Sequence, residues 1–137
     1  MGAVRERALQ ISRRYPGSGD PGEQMGLRVV VEAPDELPPL PAAVEVAAYR
    51  IAQEALTNVV RHAQARTCVV RLAAVVLGDR TTLHVEIADD GEGLPSELHA
   101  GVGLRSMRER AEELGGTCIV ESDEGGGTRV SAWLPLV

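Results

Sequence analysis

Two polar residues four positions apart, Glu54 and Asn58, lie within the longest helical pattern of the sequence. This spacing places both side chains on one face of a helix, a single turn apart. A carboxylate beside a neutral amide oxygen suits a magnesium ion that keeps some of its waters and takes its remaining ligands from phosphates. Arg61 and His62 follow within the next turn, where they are placed to meet phosphate oxygens. Taken alone, the stripe could also be an ordinary solvated helix face.

A second candidate site lies where the residues Asp89-Asp90-Gly91-Glu92-Gly93 follow an alternating strand pattern. The core-facing parity of that strand continues to Asp89, whereas Asp90 points the other way. A carboxylate in a core-facing position is costly unless a donor reaches it, and the exocyclic amine of a purine is such a donor. Gly91 and Gly93 allow the backbone to turn closely against a ligand. The alternative is that these residues only form the turn at the end of the strand and bind no ligand.

Two further glycine-containing segments could complete a nucleotide site. Gly101-Val102-Gly103-Leu104 directly precedes a helical pattern, where backbone N–H groups and a helix N-terminus can bind an anion without lysine. Position 106 is serine, so the segment is not a dinucleotide-binding fingerprint. Gly127 and Thr128 open the last strand, and Thr128 shares the parity of its core-facing residues. The alternatives are a plain helix-entry loop and a plain hairpin turn.

The elements that position these residues follow from the hydrophobic periodicity. The two later helices, 42–65 and 103–114, pack against one face of a mixed, mostly antiparallel sheet and give an α+β two-layer sandwich. The predicted helices span 3–15, 42–65 and 103–114, with a flexible loop over 16–26 and a Gly-containing loop over 90–101. The predicted strands span 27–32, 67–77, 81–89, 118–122 and 128–134, and the last four pair as two hairpins.

Composition excludes several classes of protein. The chain has 137 residues, a single-domain length, and a net charge of −6, which argues against a nucleic-acid surface. All 14 basic residues are arginine, so neither a Walker A loop nor the usual protein-kinase lysine is available. Cys68 and Cys118 lack the spacing of a zinc site and read as buried thiols in a reducing compartment, with a disulfide left open.

Together the four segments resemble the ATP-binding domain of the GHKL superfamily (gyrase, Hsp90, histidine kinase and MutL), whose fold is the Bergerat sandwich. The N box, E-x-x-x-N-A/V-x-x-H, is matched by Glu54–His62, and the G1 box, D-x-G-x-G, by Asp89–Gly93. The G2 box is matched by Gly101–Leu104, and a final Gly-Thr pair falls at Gly127-Thr128. The resemblance covers about residues 27–136.

Within that superfamily, AAYRIAQEALTNVVRHAQA and GLRSMRERAEELGGT resemble the sensor histidine kinases that partner LuxR-type response regulators. The resemblance implies that Asn58 ligates Mg²⁺ and that Glu54, as a catalytic residue, orients the ion or a water. It also implies that Asp89 accepts from adenine N6 with the help of Thr128. The implied phosphate-binding groups are Arg61, His62 and the backbone of 101–104. The expected organisation is an N-terminal helix and loop over 1–26 and an ATP-binding catalytic domain over 27–137.

The phosphoacceptor histidine of such kinases lies on an upstream dimerisation domain in an E-L-H-D-like context, which His62, His84 and His99 do not share. We therefore expect a cytoplasmic protein histidine kinase catalytic domain that binds Mg-ATP and delivers the γ-phosphoryl group to a histidine on a separate domain. On its own it should not phosphorylate itself, and its parent protein could be membrane-anchored. Two alternatives are a free-standing anti-sigma-factor-type serine kinase and a non-catalytic ATP-binding module.

Overall fold

Five strands form one sheet in the order β1-β2-β3-β5-β4. The computed structural model describes residues 2–6, 9, 27–63, 65–92, 104–122 and 126–136. β1 runs parallel to β2, and the pairs β2–β3, β3–β5 and β5–β4 are antiparallel. The strands are β1 (Arg28–Glu32), β2 (Thr67–Leu77), β3 (Arg80–Asp89), β4 (Thr117–Ser122) and β5 (Thr128–Pro135). The predicted mixed, mostly antiparallel sheet is confirmed.

Two helices, α1 (Ala42–Asn58) and α2 (Leu104–Glu113), pack against the core face of this sheet. α1 lies on β3 and β5, and α2 lies beside it on β4 and β5. In the part of the chain that the structure describes, no helix is long and apolar enough to cross a membrane. The predicted apolar stripe is buried along its whole length, from Val44, Ala48, Ile51 and Ala55 in α1 to Val59 directly after it.

The core lies between the helices and the sheet. From Leu83 onward in β3, and throughout β5, every second residue is buried. The buried residues pair across the strands in one layer, as Leu83–Leu134, Val85–Ala132 and Ile87–Val130. Each of the large side chains contributes about 1.5–3 kcal/mol when it is fully removed from water. Val4, in the helical residues 2–6, is also fully buried in this core. Most of the predicted helix over 3–15 and the predicted loop over 16–26 lie outside the described residues.

The long predicted helix over 42–65 is corrected in its last two turns. The α-helix ends at Asn58, and the chain continues as a π-helical turn over Val59–Ala63. The Val59 N–H is shared between the carbonyls of Ala55 and Leu56 at this transition. Over five residues the periods of α- and π-helix differ too little for a hydrophobic pattern to separate them. Single π-turns of this kind occur frequently at functional sites.

The other predicted boundaries lie within about two residues of the observed ones. The predicted stop of α2 at Gly115-Gly116 is a Schellman motif: Gly115 has a φ of 78°, and its N–H donates to Glu112 while that of Gly116 donates to Ala111. The first hairpin turns at Gly78, whose φ is 65°. The predicted loop over 90–101 is described only over its first three residues, which are not in a strand.

The face of the sheet away from the helices carries ion pairs and one aromatic stack. Arg71 contacts Glu32 at 2.7 Å and Glu86 at 3.8 Å. His84 stacks on Trp133 with ring centroids 4.8 Å apart and planes 12° from parallel. The pKa of His84 is lowered by burial, against a smaller opposing effect of the Glu86 charge.

The lowered pKa of His84 predicts a loss of stability on acidification. The unfolded chain binds a proton at His84 near pH 6.5, and the folded chain binds it only at lower pH. The contribution of neutral, stacked His84 to the free energy of unfolding is therefore fully present above pH 6.5. It is lost as the pH is lowered below that value. His84→Phe keeps a stacked ring but removes this titration. Urea unfolding from pH 7.5 to 5.5 should show a steeper decline for the wild type, and parallel declines would contradict the assignment.

Candidate functional site

A small cavity opens between the end of α1 and the core face of the sheet. Its walls are mainly apolar, but three polar side chains from three different elements reach it. Asn58 is 6% exposed, Asp89 is 7% exposed and Thr128 is 5% exposed. Burial of three hydrogen-bonding groups in one place is costly unless they serve each other or a ligand. The lining residues are Ala55, Asn58, Val59, Ile87, Asp89, Leu104, Thr128 and Val130.

Asp89 occupies the last position of β3, where the alternation of that strand turns it toward the core. Its carboxylate Oδ1 accepts a hydrogen bond of 2.9 Å from the Gly91 N–H, which fixes the turn that follows. The next residue, Asp90, is exposed. The prediction that the two neighbouring carboxylates point to opposite sides is confirmed.

Gly127 is held against the backbone of Asp89 at the entry to β5. A Cβ atom at position 127 would overlap the Asp89 carbonyl oxygen, and its φ of 92° disfavours any other residue. At Gly126, a Cβ would lie 3.3 Å from the Gly91 carbonyl oxygen. The two segments predicted to bind one ligand, Asp89–Gly91 and Gly127-Thr128, are therefore in direct contact.

The residues of the polar helix stripe have different environments. Asn58, the last residue of α1, lines the cavity, while Glu54 is half-buried one turn earlier and does not line it. Arg61 is exposed in the π-turn. The backbone of His62 lies in the same turn, but its side chain is outside the described part of the structure. The structure thus brings Asn58 together with Asp89 and Thr128.

The structure describes only some of the residues in the predicted glycine-containing segments. Leu104, the first residue of α2, is buried and lines the cavity. The Gly91 N–H is directed to Asp89. Gly93, Gly101 and Gly103 lie outside the described residues, so their role stays a prediction.

The sequence reasoning gave no role to Cys68, which pairs with Asp89 across β2 and β3. Burial, with a further contribution from the charges of Asp89 and Asp90, raises the pKa of its thiol to about 12. Burial also raises the pKa of Cys118 to about 11. Both thiols are free and buried, as expected. Cys68 therefore stays neutral beside the Asp89 carboxylate.

Asp90 also had no predicted role, although its carboxylate is well bonded. Oδ1 accepts the backbone N–H groups of Arg66 and Thr67, each at 2.9 Å. The Asp90 N–H in turn donates to the Thr67 carbonyl at 3.2 Å. The only signal in the sequence is an acidic residue directly after a strand, and this pattern does not identify a partner 23 residues away.

Comparison with known proteins shows that the part of the chain that forms the cavity is similar to a family of nucleotide-binding domains. The family described as "Histidine kinase-, DNA gyrase B-, and HSP90-like ATPase" matches residues 43–137, a range that includes all three buried polar residues. Sensor histidine kinase YxjM of Bacillus subtilis is 41% identical over 97 residues, which cover 71% of this chain and 23% of that protein. Nitrate/nitrite sensor protein NarQ of Escherichia coli is 40% identical over 94 residues, covering 67% and 16%. The chain thus spans a quarter or less of these two relatives.

Solved structures show the same architecture. The histidine kinase domain of the blue-light activated kinase from Erythrobacter litoralis EL346 superimposes with a TM-score of 0.70 and 27% identity, over 97% of this chain and 59% of that one. The ATP-binding domain of PrrB from Mycobacterium tuberculosis gives a TM-score of 0.63 at 22% identity, over 99% and 93%. The second likeness establishes the fold alone, and with the first it confirms the predicted α+β sandwich.

Proposed function

Because the chain belongs to the family of histidine kinase-, DNA gyrase B- and HSP90-like ATPases, we propose that it acts as the Mg-ATP-binding catalytic domain of a two-component sensor histidine kinase. The observation that carries this proposal is the convergence of Asn58, Asp89 and Thr128 on one small cavity. The catalytic domain comprises residues 27–137. Sensor histidine kinases among its relatives favour this function over an anti-sigma-factor-type serine kinase.

The adenine ring enters the cavity with its exocyclic amine toward Asp89. A buried carboxylate is acceptor-only, so it matches the N6 amine of adenine and opposes the carbonyl that guanine carries at the equivalent position. The Thr128 hydroxyl, buried in the same wall, can donate or accept at an adjacent ring atom. The close approach of Gly127 to Asp89 keeps these two groups in a fixed relation.

The phosphates extend toward the end of α1. Asn58 provides an amide oxygen at the edge of the cavity, and Glu54 lies one turn earlier on the same helix. This oxygen-only donor set fits a magnesium ion that shares its coordination with phosphate oxygens. When bound, the ion neutralises phosphate charge. Arg61, His62 and the backbone N–H groups of 101–104 complete the phosphate contacts.

Phosphoryl transfer asks a protein mainly for alignment and charge compensation. A ring nitrogen of a histidine on a separate phosphoacceptor domain attacks the γ-phosphorus, and ADP leaves with the bond electrons. The phosphoryl group then passes to a LuxR-type response regulator. Because ATP is supplied in the cytoplasm, this step takes place on the cytoplasmic side of the membrane if the parent protein carries a membrane anchor.

Incubation of the chain with γ-labelled ATP and Mg²⁺ tests the separate acceptor. We expect label to appear on an added phosphoacceptor domain and not on the chain itself. Stoichiometric labelling of His62, His84 or His99 would contradict this assignment, and labelling of a serine on a partner protein would favour the serine kinase.

Asp89→Asn should weaken adenine nucleotide binding by roughly 1–3 kcal/mol, because the new amide leaves a buried hydrogen-bonding group mispaired. Calorimetric titration with ADP measures the change. Asp79→Asn, in the exposed turn between β2 and β3, makes the same chemical change away from the cavity and should leave the affinity unaltered. Equal affinity of the wild type for adenine and guanine nucleotides would show that Asp89 does not read the base.

Asn58→Ala should reduce the magnesium-dependent part of ATP affinity while binding measured in excess chelator changes little. The reason is that the alanine removes an oxygen ligand but leaves the adenine wall intact. Titrations of wild type and variant with and without Mg²⁺ separate the two contributions. An equal loss under both conditions would assign Asn58 to packing rather than to the metal.

A further inference from the structure

Asp90 joins two segments that are far apart in sequence but adjacent at the site. Its side chain is exposed and does not line the cavity. It nevertheless collects two backbone N–H groups, from Arg66 and Thr67, on a single oxygen at 2.9 Å. With the bond from its own N–H to the Thr67 carbonyl, three hydrogen bonds join the two segments. Hydrogen bonds to an ionised acceptor are roughly twice as strong as neutral ones.

The segment held by Asp90 is the exit from the α1 region. Arg66 lies three residues after the π-turn over Val59–Ala63, which carries Arg61 directly after Asn58. Thr67 is the first residue of β2. Two sets of contacts hold the segment that follows the π-turn: the Arg28 N–H donates to the Arg66 carbonyl at 2.8 Å, and the Asp90 carboxylate accepts the N–H groups of Arg66 and Thr67.

The adenine side of the site is held by other contacts. Asp89 is fixed by its bond to the Gly91 N–H, by the pairing of β3 with β2, and by the close approach of Gly127. None of these contacts involves the Asp90 carboxylate. Its loss would consequently loosen the segment after the π-turn while leaving these contacts of Asp89 unchanged.

We propose that Asp90 is a positioning residue that fixes the phosphate-binding half of the site relative to the adenine-binding half. This inference rests on the proposed function, since it assigns the two halves to one ATP molecule. Asp90 touches neither half of the ligand. It acts through the backbone of Arg66 and Thr67. Its loss should therefore weaken the binding of ligands that span both halves, but not the binding of the base alone.

Titration of the chain with Mg-ATP and with adenosine tests this role. Asp90→Ala removes the acceptor, and we expect Mg-ATP affinity to fall about tenfold, the size of one well-made hydrogen bond, while adenosine affinity stays within about twofold. Asp90→Asn retains an oxygen that can accept both N–H groups, so it should keep both affinities within about threefold. Asp79→Ala, which removes an exposed carboxylate from the turn between β2 and β3, away from the cavity, is the matched control and should bind like the wild type.

Three results would overturn the role of Asp90: unchanged Mg-ATP affinity in Asp90→Ala, an equal loss for both ligands, or an Asp90→Asn variant as weak as Asp90→Ala. Failure of the wild type to bind either ligand would instead reject the proposed function.

Hydrogen exchange on the wild type gives a reading that depends on no variant. The amides of Arg66 and Thr67 should be protected, and Mg-ATP should slow their exchange further than adenosine does. Unprotected amides at these positions would reject the role of Asp90 even if Asp90→Ala failed to fold.

Discussion

The structure depends on one buried carboxylate. Asp89 continues the core-facing row of β3, so the alternation that buries Leu83, Val85 and Ile87 also carries a charge to the edge of the core. A low-dielectric position raises the cost of an unsatisfied carboxylate and strengthens any hydrogen bond that it makes. The Gly91 N–H meets part of that need. The surrounding elements then form a cavity around the group rather than a closed core.

Much of this arrangement could be predicted from the sequence because it follows from period and parity. The alternation in β3 and β5 correctly placed Asp89 and Thr128 on the core face. The spacing in α1 placed Asn58 one turn after Glu54 on the same face of the helix, but not at the helix end. Strand and helix limits followed from glycine, proline and the change of hydrophobic period. These features are local, so a single sequence contains them.

The features that could not be predicted are those that depend on contacts between distant segments. The π-turn after Asn58 breaks no visible pattern, and Asp90, which binds the N–H groups of Arg66 and Thr67, lies more than 20 residues further along the chain. The overlap that forces glycine at position 127 involves a carbonyl on a different strand. From the sequence, Gly127 is predicted to belong to a Gly-Thr pair at the entry to the last strand, with a plain hairpin turn as the alternative. Neither interpretation identifies the backbone of Asp89 as the neighbour that excludes a side chain there.

The thiol of Cys68 stays neutral beside Asp89, and this limits the negative charge in the site. ATP brings several negative charges to a chain that already has a net charge of −6, and Asp89 adds another within the cavity. A thiolate at Cys68, directly across from Asp89, would repel both. Burial keeps the thiol protonated instead, and the carboxylate of Asp90 is directed away from the cavity toward backbone N–H groups. In the proposed complex, Asp89 is therefore the buried charge that faces the base, and the charge of Arg61, after the end of α1, would compensate that of the phosphates.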